Sequence, residues 1–185
     1  MSGHRGGVGV FPGTFNPPTV AHLAVAEEAR TTLELERVDL VVSRIPIGKE
    51  HLSTPSLDQR VEVLERLAGR VGWMRIVVSE QRLIVDIAAG YDVVIMGADK
   101  WGQVNDPVYY GGDSARRDDA VARLPRLALF DRADVAFNAG VRHITEPDAV
   151  TLRLEARYLD VSSSAARAGA SHLMVPEALE SGLWS

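Results

Sequence analysis

The sequence predicts an α/β domain built on a parallel sheet, and three observations support this fold class. Short runs of apolar and β-branched residues recur along the 185 residues without the period-two alternation of half-exposed strands. Segments with the apolar spacing of helices lie between these runs. Hydrophobic residues make up 46% of the chain and charged residues 24%, as in ordinary globular proteins. Strands that alternate with helices favour a parallel sheet with right-handed crossovers.

The first half of the chain contains three predicted strands with two predicted helices between them. The apolar runs over residues 8–11, 38–42 and 74–78 predict strands. Residues 20–33 and 57–67 carry helical spacing. Because the strands of a parallel sheet end at one edge, we expect ligands at their carboxyl ends, near a switch in strand order.

The second half continues the pattern with predicted strands over residues 91–96 and 127–130. Residues 102–112 are polar and rich in turn residues, which predicts a long loop and a candidate lid or subunit contact. A polar helix is predicted over 114–124, whereas 143–154 stays open between strand and loop. Together these elements predict one Rossmann-like, doubly wound domain over residues 1–185.

Composition excludes several classes of function. The net charge of −5 gives no support to a general nucleic-acid binder. The chain has no cysteine, so disulfides and thiol catalysis are excluded. It has no apolar run long enough for a membrane span, and its N-terminus lacks the apolar core of a signal peptide. We therefore expect a cytoplasmic protein with neither a nucleic-acid nor a membrane partner; a homo-oligomer stays open.

The segment after the first strand resembles a phosphate cradle. A turn containing Gly13 leads to Thr19, which opens a helical pattern with His22 in its first turn. A helix start presents unpaired N–H groups and the positive end of a dipole, and both attract phosphate. The alternative is structural: Thr19 is a good N-cap, and a lone histidine is often a satisfied core residue. The strand–turn–helix context favours the phosphate role.

A second candidate segment lies near the other end of the chain. Ser162, Ser163 and Ser164 are followed by Arg167 one turn later. Serine is a favoured helix cap, so a plain helix start would explain the pattern. Successive hydroxyls with a forked guanidinium also suit polyphosphate oxygens.

Two loops that follow later predicted strands contain further candidate site residues. Lys49 follows the second strand, with His51 as the second choice, although a surface lysine is the usual alternative. A Gly97-x-Asp99 turn follows the strand over 91–96, and Trp101 beside it could stack on a ring or pack in the core. Arg60, on the second helix, fits a solvated helix residue.

Two motifs resemble those of the adenylyl- and cytidylyltransferases. Gly-Thr-Phe-Asn-Pro-Pro followed by Thr-x-x-His is similar to their His/Thr-x-Gly-His signature. Val-Ser-Ser-Ser-Ala-Ala-Arg over residues 161–167 resembles their Ile-Ser-Ser-Thr-x-Ile-Arg element. The Gly97-x-Asp99 turn resembles that of the nicotinate and nicotinamide mononucleotide adenylyltransferases. The resemblance implies transfer of AMP from ATP to a phosphorylated acceptor with release of pyrophosphate, the preferred acceptor being one of these mononucleotides, as in NAD biosynthesis.

The resemblance also implies roles for the candidates. His22 would contact the α/β-phosphate region, Lys49 would bridge donor and acceptor, and Arg167 would hold the leaving pyrophosphate. Trp101 would join Lys49 at the acceptor. Mg²⁺ would be bound through the ATP phosphates, with no metal site on the protein. The implied nucleotide and phosphate contacts are Gly13, Thr14, Phe15, Thr19, His22, Gly97, Asp99, Ser162, Ser163, Ser164 and Arg167.

Some residues depart from the family pattern. Ala21 stands where the signature has glycine, and the Ser-Tyr-Thr element of bacterial nicotinate enzymes does not follow Val78. Leu-Ile-Val-Asp over residues 83–86 looks more like the phosphopantetheine adenylyltransferases. Phosphopantetheine as acceptor, a cytidylyltransferase-like enzyme using CTP, and an inactive nucleotide-binding protein therefore stay open.

Overall fold

A six-stranded parallel sheet forms the centre of the molecule. A computed structural model of the protein describes residues 6–45, 54–130 and 148–184. The strand order is β3-β2-β1-β4-β5-β6, which places the switch in strand order between β1 and β4. This is the Rossmann-like arrangement predicted from the sequence. The strands are β1 (Val8–Pro12), β2 (Arg37–Ser43), β3 (Met74–Ser79), β4 (Val93–Gly97), β5 (Arg126–Phe130) and β6 (Ala149–Thr151).

Helices connect the strands and cover the sheet. They are α1 (Val20–Thr32), α2 (Leu57–Val71), α3 (Ile84–Ile87), α4 (Ala98–Val104), α5 (Ser114–Ala122), α6 (Ala156–Leu159), α7 (Ser163–Arg167) and α8 (Pro176–Ser181). Short 3-10 helices occur at Pro107–Tyr110 and Ser171–Leu173. None of the helices in the described part of the chain is long and apolar enough to cross a membrane.

Two apolar clusters lie on opposite faces of the sheet. Successive strand residues point to opposite faces, so Phe11 joins one cluster and its neighbour Val10 joins the other. The first cluster also holds Leu64 of α2 and Ala178 of α8, and the second holds Trp101 of α4. Burial on both faces explains why these strands lack period-two alternation in the sequence.

Most predicted elements are present, with small differences at their ends. The strand predicted over 91–96 begins at Val93, and the helix predicted over 57–67 continues to Val71. The loop prediction for 102–112 was wrong in part, because α4 extends into it and a capped 3-10 helix follows. Within 143–154, β6 forms at Ala149–Thr151, and residues 143–147 lie outside the described ranges.

Candidate active site

A cleft of about 310 Å³ opens at the carboxyl ends of β1 and β4. Its wall includes Gly13 and His22 of the first motif and Arg167 of the second. Asn16 of the first motif and Arg167 are 151 positions apart in the sequence. Chain topology therefore brings both sequence motifs to the edge expected for ligands in this fold. Of the predicted site residues, the cleft is lined by Gly13, Thr14, Phe15, His22, Gly97, Asp99, Ser162, Ser163, Ser164 and Arg167.

His22 is held in one tautomer by the start of α1. The backbone N–H of Thr19 donates to Nδ1 of His22 at 3.0 Å, and the Thr19 hydroxyl lies 2.8 Å from the same atom. The His22 N–H in turn faces the Thr19 hydroxyl, so a histidine completes a capping box. Because Nδ1 accepts a hydrogen bond, the proton of the neutral ring lies on Nε2. His22 is thus arranged as an Nε2–H donor.

Aromatic rings fix the orientation of His22. The Phe15 ring lies edge-on to it, with centroids 5.1 Å apart, and the Phe11 ring is 6.1 Å away. Phe130 packs edge-on against Phe11 at 5.9 Å. Such packing restricts the imidazole to one face of the cleft, which favours preorganised contact with a ligand.

The tight turn after β1 requires glycine at position 13. A Cβ atom on Gly13 would lie 2.7 Å from the Phe15 ring, closer than real contacts allow. Phe15 itself has a positive φ of 44°, and the Gly13 N–H donates to Val41 O at 3.0 Å. Gly13 therefore makes room for the Phe15 ring that packs on His22.

The second motif is tied to the first through backbone carbonyls. Ser162 caps α7 by accepting from the Ala165 N–H at 3.1 Å. The Ser163 hydroxyl donates to Pro17 O at 2.8 Å. The Arg167 guanidinium donates to the carbonyl of Asn16 and, at 3.3 Å, to the Ser164 hydroxyl. The motif is thus both a helix start and part of the cleft wall.

The turn after β4 brings a carboxylate into the cleft. Gly97 is the N-cap of α4, and a Cβ atom there would lie 2.6 Å from Oδ1 of Asp99. Glycine at position 97 therefore leaves room for the position that the Asp99 carboxylate adopts here. Both residues line the cleft.

Of the predicted site residues that the structure describes, Trp101 and Thr19 do not line the cleft. The stacking role of Trp101 does not fit its position, because it is 5% exposed and packs in the second apolar cluster. Thr19 is 0% exposed, so its hydroxyl reaches His22 instead of a ligand. Lys49, with its alternative His51, lies outside the described residues.

Cations and aromatic residues that the sequence patterns did not single out also line the cleft. Arg82 and Lys100 lie on its wall with Arg167, against one described carboxylate, Asp99. An excess of cations in the cleft of an acidic protein suits an anionic ligand. Tyr109 and Tyr110 add aromatic surface. In the sequence, the signal for this aromatic surface was the pair of adjacent tyrosines between Pro107 and Gly111.

The hydroxyl of Tyr110 faces the interior. It donates to Val104 O at 2.9 Å, and burial raises the pKa of this tyrosine. Tyr110 therefore stays neutral near pH 7 and anchors the segment, while Tyr109 is 36% exposed.

Arg60 is a buried cation behind the turn that follows β1. It is 3% exposed, and its Nη1 donates to Thr14 O at 2.7 Å. The interpretation of Arg60 as a solvated helix residue was wrong, because it lies on the buried stripe of α2. That stripe consists of Arg60, Val63, Leu64 and Leu67, spaced i, i+3, i+4 and i+7. The sequence does contain a signal for this burial, because Arg60 stands at a position of α2 where the helical spacing calls for an apolar residue.

The segment around α8 supports the turn from behind. The Trp184 indole Nε1–H donates to Oδ1 of Asn16 at 2.5 Å, and Asn16 is 3% exposed. The Val175 N–H donates to Pro18 O at 3.2 Å. Arg70 of α2 pairs with Glu177 of α8 at 2.5 Å. These contacts fix residues 16–18, which form the second half of the Gly-Thr-Phe-Asn-Pro-Pro run.

The fold and the cleft define a Rossmann-like α/β protein with a site suited to phosphate-bearing ligands. The cytidylyltransferase-like family model matches residues 10–169. This chain therefore belongs to the cytidylyltransferase-like family.

Individual relatives match shorter segments. A probable nicotinate-nucleotide adenylyltransferase of Listeria monocytogenes serovar 1/2a is 45% identical over 58 residues, which are 31% of each chain. One from Rubrobacter xylanophilus is 45% identical over 64 residues, 34% of this chain and 30% of its own. These matches span about a third of the length of the curated relatives.

Two solved structures share the fold over nearly the full chain. The Plasmodium falciparum nicotinic acid mononucleotide adenylyltransferase complexed with APC aligns with a TM-score of 0.71 at 12% identity, covering 97% of each chain. The same protein complexed with NaAD aligns with a TM-score of 0.68 at 11% identity, covering 94% of this chain and 93% of that one.

Proposed function

We propose that this protein transfers AMP from ATP to nicotinate mononucleotide and releases pyrophosphate. The observation that carries the proposal is the convergence of His22 and Arg167 on one cleft. The names of the bacterial relatives and of the solved structures support this acceptor. The reaction would supply a dinucleotide for NAD biosynthesis.

The proposed chemistry needs no nucleophile from the protein. A phosphate oxygen of the acceptor attacks the α-phosphorus of ATP, and the bond from that phosphorus to the β-phosphate oxygen breaks. Charge accumulates on the transferring group and on the leaving pyrophosphate. The residues therefore act by position and by donating hydrogen bonds.

Each cleft residue has a role in this reaction. His22 donates from Nε2 to oxygens of the transferring phosphate, which its tautomer favours. Arg167 and Ser164 hold the pyrophosphate as it leaves, since their donors lie on one wall. Thr19 positions His22. Lys49 remains the proposed bridge between donor and acceptor phosphates.

The residues of the cleft are compatible with Mg²⁺ that is bound mainly by the phosphates of the nucleotide. The described residues contain no group of three potential carboxylate or imidazole ligands, and Asp99 is the carboxylate that their cleft wall contains. A site of this kind suits an ion held by phosphate oxygens and waters. Such an ion would neutralise charge on the triphosphate.

The acceptor ring is best accommodated beside Tyr109. A pyridine ring requires a flat, partly apolar slot. Tyr109 is exposed at the cleft, whereas Trp101 is enclosed in the core. We therefore assign the slot to the 3-10 helix Pro107–Tyr110.

A panel of acceptors tests the proposal. Purified protein with ATP and Mg²⁺ should release pyrophosphate with nicotinate mononucleotide faster than with nicotinamide mononucleotide or phosphopantetheine. A parallel series with CTP tests the donor. Release with phosphopantetheine alone would reassign the acceptor, and nucleotide binding without turnover would make the protein an inactive binder.

A further inference from the structure

Arg60 carries a charge that the proposed chemistry leaves unexplained. It is 3% exposed, and its Nε atom has no hydrogen-bond partner within the described residues. Burial lowers the pKa of its guanidinium, and no charged neighbour among the described residues contributes to that change. Arginine nevertheless stays protonated at neutral pH. No described carboxylate pairs with Arg60, and burying an unpaired charge is costly, so the one hydrogen bond that its guanidinium makes to a described residue becomes informative.

That contact is with the turn that lines the cleft. Nη1 of Arg60 donates to Thr14 O at 2.7 Å. Thr14 and Phe15 line the cleft, whereas Arg60 does not. Arg60 therefore lies behind the turn, on the side away from a ligand.

The planar peptide between Thr14 and Phe15 links Arg60 on one side of the turn to the cleft on the other side. In a trans peptide the carbonyl and the following N–H point in opposite directions, and the bond between Thr14 and Phe15 is trans. Because the Thr14 carbonyl points to Arg60, the Phe15 N–H points away from it. Across the described ranges, this N–H has no hydrogen-bond acceptor. Phe15 also has a φ of 44°, an uncommon conformation for a residue with a side chain.

We propose that Arg60 is a positioning residue for nucleotidyl transfer. By holding the carbonyl of Thr14, it keeps the Phe15 N–H directed at the cleft as a donor to phosphate oxygens, and its charge lies behind the same peptide. This role rests on the proposed function for its place in the reaction. Its effect on anion binding does not depend on the acceptor.

The proposal predicts that stability and anion binding change in different directions. Arg60→Met places an unbranched apolar side chain, shorter than arginine, at this buried position of α2. Replacing a buried cation by an apolar residue removes the cost of keeping its charge out of water. The Phe15 peptide, however, loses its anchor, and misplacement of a binding group commonly costs roughly 10- to 100-fold. Pyrophosphate affinity and kcat should therefore fall while the melting temperature stays equal or rises.

A variant on the same helix provides the control. Arg70 also lies on α2 but pairs with Glu177, away from the cleft. Arg70→Met should lower the melting temperature and leave pyrophosphate affinity unchanged. Arg60→Lys, which keeps the charge and one donor, should recover part of the affinity lost in Arg60→Met.

Calorimetric titration with inorganic pyrophosphate, combined with thermal unfolding, tests the proposal. Normal pyrophosphate affinity and turnover in Arg60→Met would overturn it. A loss of affinity with a melting temperature below that of Arg70→Met would also overturn it, because Arg60 would then be a structural residue. If the unaltered protein turns over none of the acceptors, the proposed function fails, and the pyrophosphate titration still decides the role of Arg60.

Discussion

Nδ1 of His22 accepts the backbone N–H of Thr19 at 3.0 Å, so the helix start itself determines which ring nitrogen carries the proton. The Thr19 hydroxyl lies 2.8 Å from the same atom. A capping function and the proposed catalytic function therefore share one residue pair, because the cap orients the ring and the ring presents Nε2–H.

Loss of this donor should affect turnover more than binding. His22→Ala should lower kcat by roughly 10²- to 10³-fold, the usual effect of removing one preorganised donor. His22→Gln, whose amide can donate from a similar position, should retain more turnover than alanine. Steady-state kinetics with ATP and nicotinate mononucleotide would measure both. His172→Ala, an exposed histidine, is the control, and normal turnover in His22→Ala would exclude the proposed role.

Arg167→Lys should weaken ATP and pyrophosphate binding in parallel. The lysine ammonium replaces a forked donor that reaches both the Asn16 carbonyl and Ser164. We expect roughly a tenfold loss, comparable to a charged hydrogen bond. Titration of each ligand would measure it, with Arg157→Lys as an exposed control. Unchanged affinity for both ligands would leave α7 as a structural element.

Tyr109 and Trp101 should respond differently to truncation. Tyr109→Ala should raise the KM for the mononucleotide and leave the KM for ATP nearly unchanged, because Tyr109 is the exposed aromatic residue of the proposed slot. Trp101→Ala should instead destabilise the fold by about 3–5 kcal/mol, since it empties a buried site. Kinetics and denaturant unfolding separate the two. A selective acceptor effect from Trp101→Ala at normal stability would restore its predicted stacking role.

The Arg70–Glu177 pair should make stability sensitive to acid. Burial raises the pKa of Glu177, but the hydrogen bond from Arg70, a backbone hydrogen bond and the charges of Arg70 and Arg66 together lower it, so the net shift is downward from 4.5. A carboxyl with a lowered folded pKa stabilises the protein above its unfolded pKa and loses that contribution as pH falls through the folded value. Glu177→Gln should therefore flatten the fall in melting temperature below about pH 4.5. An unchanged acid profile would contradict this.

Local patterns predicted the sheet and both motifs because these depend on short-range sequence. The apolar runs that became β1, β2, β3 and β5 begin within one residue of their predicted starts. Gly13 and Ser162 were found because turns and caps require particular residue types.

Residues whose environment depends on tertiary packing were harder to predict. Trp101 and Arg60 both lie on helices, and their burial depends on which helix face meets the sheet. The Trp184–Asn16 hydrogen bond joins positions 168 apart, which no local pattern reveals. The burial of Arg60 could still have been predicted, because its position on α2 is in register with the apolar residues of that helix.

The central claim, attack at the α-phosphorus of ATP, is tested most directly by following isotopic label. Purified protein would be incubated with Mg²⁺, nicotinate mononucleotide and ATP labelled at either the α- or the γ-phosphorus. The α-label should appear in a dinucleotide and the γ-label in pyrophosphate, in equal amounts. The γ-label released as free phosphate in a pyrophosphatase-free assay, or the absence of α-label from any dinucleotide, would contradict the account.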